Sequence, residues 1–147
     1  MAGVRRGAHA VLKFLAPIFV IGIIVQVFLA GEGIFGLKNV QNLDDAKILD
    51  PHRALGFFLT FPGALLLLIV ALLAWSPDKR VRILSLVLPF QLFLQSVLAG
   101  IGRWGGAFHP LNGFALLAEF GWLTYILWQR QEATAPAAAA TASVPAD

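Results

Sequence analysis

Apolar residues gather in four long runs, 10–30, 54–75, 82–101 and 110–128, and most charged positions fall in the gaps between them. Each run is close to the ~20 residues that a helix needs to cross a hydrocarbon core about 30 Å thick. The pattern predicts four transmembrane helices. Proline marks two helix starts: Asp50-Pro51 is expected to open the second helix around His52, with Asp50 as N-cap acceptor, and Pro110 to open the fourth just after His109.

The pattern also repeats. Gln26-Val27-Phe28-Leu29-Ala30-Gly31-Glu32-Gly33 returns about seventy residues later as Gln95-Ser96-Val97-Leu98-Ala99-Gly100-Ile101-Gly102, and each copy is followed by His-x-x-x-Gly-Phe-x-Leu, from His52 and from His109. The chain therefore reads as all-α: an integral membrane four-helix bundle built from two duplicated transmembrane hairpins, filling residues 1–132. Residues 133–147 are Ala, Thr, Ser and Pro with little charge or periodicity, and are expected to form a disordered cytoplasmic tail.

Composition agrees: 59% hydrophobic and 13% charged residues, with a mean hydropathy of +0.79, leave too little polar surface for a soluble domain. The net charge of +3 comes from basic residues near helix ends: Arg5, Arg6 and Lys13 at the first span, Lys79, Arg80 and Arg82 between the second and third, Arg130 after the fourth. They read as topology determinants rather than a nucleic-acid surface. By the positive-inside rule both termini and the 2–3 loop are cytoplasmic in a multi-pass protein of the cell membrane, and 32–53 and 103–109 face outward. Arg5-Arg6 before an apolar stretch resembles a signal peptide, but the run is too long and its end matches the third span, so a retained helix is expected. The absence of cysteine excludes disulfides, thiolate metal sites, iron–sulfur clusters and covalent haem attachment.

Candidate chemistry centres on His52 and His109. Neutral imidazoles ligate haem iron, and a duplicated hairpin offers one from each side of a shared axis, so b-type haem between them is the leading expectation. Arg53 and Arg103 lie at the same interface and could meet the propionates. Gly56 and Gly113, one turn below each histidine, would let a neighbouring helix or a flat ligand come close. Three polar features lie within the spans. Gln26 and Gln95 are repeat-equivalent and expected to join helices. Glu119, with Gln91 at similar depth and no basic residue nearby, is expected to hydrogen-bond and could belong to a proton path.

His52-Arg53-Ala54-Leu55-Gly56 opening an apolar helix resembles the start of a haem-bearing helix in heme A synthase, and so do Leu94-Gln95-x-x-Leu98-Ala99-Gly100 and His109-Pro110-Leu111-Asn112-Gly113. That enzyme's fold is two four-helix halves with histidines on the second and fourth helices of each, which implies His52 and His109 as axial ligands. This chain is one half in size and lacks the glutamate-bearing loop of the oxidising half, so heme A synthesis is not expected. Over roughly Leu12 to Trp128 the chain is similar to a family of small uncharacterised four-helix bacterial membrane proteins, a domain of unknown function, which implies a fold and no activity.

The sequence thus points to a membrane-bound b-type haem protein acting in electron transfer with a redox partner or quinone. The alternative is a noncatalytic membrane scaffold or accessory subunit. A small transporter component, with Glu119 and helices broken at Pro17, Pro62 and Pro89, ranks third. No catalytic residue is assigned.

Overall fold

The computed structural model describes residues 1–37 and 45–142, with side chains described for 1–37 and 47–129. In chain order they form α1 (Ala2–Gly36), a 3-10 turn (Asp45–Leu49), α2 (Asp50–Phe58), a π turn (Leu59–Gly63), α3 (Ala64–Ala74), α4 (Lys79–Gly100) and α5 (Gly102–Ala142). Everything from Lys47 to Ala74 is one continuous helical rod. The four rods close a ring in which α1 and α4 each pack against both α3 and α5, so the rod carrying His52 lies diagonally opposite the one carrying His109.

One narrow seam per helix is buried: Leu12, Ala16, Phe19 and Ile23 on α1; Leu67, Val70 and Ala74 on α3; Val81, Ser85, Leu88 and Leu92 on α4; Leu116, Phe120 and Leu123 on α5. Spacings of three and four residues keep each seam on one face. The outward faces are apolar too, with Ile18, Ile21, Phe28, Leu65, Ile69, Leu72, Phe90 and Leu94 exposed. A bundle that is apolar inside and out has lipid as its solvent. Lipid offers the helices no hydrophobic gain on meeting, so close packing and interhelical hydrogen bonds hold them. The Phe19 and Phe120 rings, stacked 4.7 Å apart at 8°, supply such packing between α1 and α5.

Three helices, Ala2–Gly36, Lys47–Ala74 and Lys79–Gly100, are long and apolar enough to cross a membrane. The rod expected as the fourth span, α5, is not among them; Asn112, Glu119 and Thr124 dilute its apolar run. Its start also differs from expectation. Rather than opening at Pro110 after a turn over 103–109, α5 begins at Gly102, whose φ of +78° reverses the chain immediately after α4. Glycine enters that left-handed region without a Cβ clash. His109 and Pro110 therefore lie inside a helix, where the proline withholds one N–H from the ladder, a loss that membrane helices tolerate.

The second helix opens where expected, with Pro51 in its first turn, but Leu49 is its N-cap and makes no side-chain cap bond. Asp50 instead pairs with Arg53 at 3.1 Å. Of the three candidate helix breakers only Pro62 alters its rod: its ring opposes the carbonyl of Phe58, and the ladder widens into the π turn around it. Pro17 and Pro89 remain within α1 and α4.

At the opposite end α3 stops at Trp75, a non-glycine residue with φ 33°, whose carbonyl accepts from the Arg5 guanidinium at 2.8 Å. Asp78 caps α4 by accepting the Arg80 N–H at 2.8 Å. The α5 backbone continues past the boundary expected at 132, as alanine-rich sequence favours; the expectation of disorder for 143–147 lies outside the described residues.

Candidate functional site

His52 and His109 enter one space from opposite rods. Their ring centroids are 6.2 Å apart and the rings are inclined by 71°. They share a cavity of about 350 Å³ with Gln26, Gln95, Arg53, Gly56 and Gly113, walled by apolar side chains from all four rods. The π turn contributes Leu59, Thr60 and Phe61 to the wall. π turns recur beside functional sites, and Pro62, a candidate helix breaker in the sequence, lies within this one.

Each histidine is fixed in the same way. His52 Nδ1 donates to the backbone carbonyl of Gln26 at 3.1 Å, and His109 Nδ1 donates to the carbonyl of Gln95 at 3.0 Å. A carbonyl oxygen only accepts, so in the neutral imidazole each Nδ1 holds the proton and each Nε2 keeps its lone pair. The glycines serve this arrangement. A Cβ at Gly56 would lie 2.6 Å from Gln26 Nε2, and one at Gly113 would lie 3.4 Å from Gln95 Nε2. The space beneath each imidazole thus admits a glutamine amide from the neighbouring helix.

The two corners then diverge. Gln95 Nε2 donates to the His109 carbonyl at 2.9 Å and to His109 Nε2 at 3.2 Å, while its Oε1 accepts from Asn112 Nδ2 at 2.6 Å. Asn112 Nδ2 also reaches the Gln91 carbonyl at 3.3 Å. Across the diagonal, Leu55 stands three residues after His52, as Asn112 does after His109; Gln26 Oε1 is buried and unbonded among the described residues. Asn112 is thus part of the His109 corner, a place that the sequence alone does not assign it. Its position three residues after His109, on the same helical face, could have flagged it.

Other candidates fall elsewhere. Arg53 lines the cavity and pairs with Asp50, both more than half exposed, which makes the ion pair a weak anchor. Arg103 does not line the cavity; its guanidinium lies 5.3 Å from the Trp104 ring centroid. Glu119 lies outside the cavity, and its Oε2 is buried without a partner among the described residues. Among the described residues no three His, Asp or Glu side chains converge as a set for a bare metal ion.

No curated protein and no solved structure matches the chain, so the resemblance to heme A synthase gains no support. A family model, described as a family of unknown function (DUF6220), matches residues 26–102. The match takes in Gln26, His52, Gly56 and Gln95 and stops before His109 and Asn112. It covers just over half of the 147 residues, and the chain belongs to DUF6220, a family of unknown function.

Proposed function

We propose that this is a multi-pass membrane protein that binds b-type haem in the cavity between His52 and His109 and passes electrons to a redox partner or quinone. The observation that carries the reading is the paired construction of the two imidazoles, each anchored through Nδ1 to a repeat-equivalent glutamine carbonyl at 3.1 and 3.0 Å. Metal-ligating histidines are held in this manner, with the far ring nitrogen left basic. Two imidazoles sharing one metal at about 2 Å from each nitrogen have ring centroids about 6 Å apart, against 6.2 Å here. Two protein donors also suit a group that brings four of its own.

Haem would supply one-electron chemistry. His52 and His109 would hold the iron, Arg53 could meet a propionate, and the apolar wall would exclude water. One movement is required: the Gln95 amide must turn away from His109 Nε2. In this reading the repeat is a true duplication of a hairpin, both termini are cytoplasmic, and the cavity opens toward the outer side.

The closed Gln95–His109–Asn112 network favours a second reading, a noncatalytic scaffold or accessory subunit in which histidines only pin helices. An absorption spectrum of protein expressed with ample haem, oxidised and then dithionite-reduced, separates the two. The haem reading expects a Soret band that His52→Ala and His109→Ala each abolish or shift. No band in the wild type, or an unchanged band in both variants, leaves the scaffold.

A further inference from the structure

The opposite end of the bundle holds a second cavity, of about 330 Å³, lined by Arg6, His9, Ala10 and Lys13 of α1, Ser76 and Pro77 beyond α3, Val81 of α4 and Leu127 of α5. Arg6, His9 and Lys13 recur at three- and four-residue spacing, so one face of α1 turns its basic groups to this space. The Ser76 hydroxyl belongs to the same lining.

Lys13 is the unusual member. Its residue is only 9% exposed, its ammonium lies 3.9 Å from the Trp128 ring centroid, and Trp128 Nε1 donates to its carbonyl at 3.3 Å. The sequence reading counted it as a topology charge at the first span, yet it is folded into the wall of a cavity. Two guanidiniums near the rim are turned to carbonyls: Arg5 to Trp75 at 2.8 Å and Arg82 to Ser76 at 3.0 Å.

From this geometry we infer that the cavity is a phosphate site for the headgroup of an anionic phospholipid. A tetrahedral oxyanion can accept from an ammonium, a guanidinium and a hydroxyl together. Basic pockets between transmembrane helices recognise such headgroups. The apolar floor of Ala10, Val81 and Leu127 and the exposed Phe14 and Tyr125 nearby on α1 and α5 suit a lipid carrying acyl chains. Inorganic phosphate shares the anionic chemistry but would leave those apolar surfaces uncovered.

Native mass spectrometry of the full chain, delipidated in detergent and then titrated with phosphatidylglycerol or phosphatidylcholine, tests the site. The expected result is preferential retention of phosphatidylglycerol, weakened about fivefold by each of Arg6→Gln and Lys13→Met. Lys47→Gln, the same charge change at the other end, should leave it unaltered. Arg6 is exposed, so its variant tests the site even if Lys13→Met fails to fold. Millimolar inorganic phosphate should not displace the lipid. Displacement by phosphate, with no preference between the lipids, would replace the lipid by the free anion and overturn the headgroup assignment. Equal retention in wild type and Arg6→Gln would overturn the site itself.

Discussion

Asn112 Nδ2 donates to Gln95 Oε1 at 2.6 Å, and this bond makes the two histidine corners unequal. It satisfies the acceptor of an amide whose nitrogen is already shared between the carbonyl and Nε2 of His109. Across the cavity Gln26 has no counterpart to Asn112, and its Oε1 is unbonded among the described residues.

The first prediction follows from that lock. Asn112→Leu copies the residue at position 55 and frees the Gln95 amide to swing from His109 Nε2. It should cost about 0.6–1.7 kcal/mol of stability, the range for interhelical hydrogen bonds in membranes, and should tighten haem binding in a Soret titration. Haem affinity that falls or stays level in a folded variant would refute the gating role of Gln95.

The glutamines should be unequal as well. Gln95→Ala breaks three bonds and should destabilise by roughly 1–2 kcal/mol. Gln26→Ala removes an acceptor that was unsatisfied and should cost about 0.6 kcal/mol or less. Thermal unfolding in one detergent measures both; equal losses would contradict the asymmetry.

Glycine replacements probe the space under the imidazoles. Gly113→Ala puts a Cβ 3.4 Å from Gln95 Nε2, ordinary contact, and should be neutral or stabilising by up to about 1 kcal/mol through helix propensity. Gly56→Ala drives against Gln26 Nε2 and should lose that benefit. Leucine at either position should fill the cavity and exclude haem, seen as loss of the Soret band while helix content by circular dichroism is retained.

Topology provides the last prediction. A reporter fused after Trp128 should report cytoplasm and one inserted at Asn42 the outside, as the basic residues at 5–13 and 79–82 require. The reverse pattern would move the histidine cavity to the cytoplasmic face and the basic cavity to the outer one.

Much of this protein follows from sequence alone. The bilayer fixes the length of an apolar helix, so the long runs reveal membrane helices before any contact is known. The repeat fixed attention on His52, His109, Gln26 and Gln95, which meet in one cavity. Helix spacing is local, so the glycines one turn below the histidines were legible too. Other features depend on which helix faces which. Spacing could not show that each imidazole is anchored by a glutamine carbonyl of the preceding rod, or that Asn112 closes one corner. It placed Arg103 with the site, whereas the turn at Gly102 and the unbroken α5 leave that side chain beside Trp104. It read Lys13 as one charge among several, because burial is a property of the neighbours: Trp128 lies far away in sequence and reaches Lys13 only when α5 packs on α1.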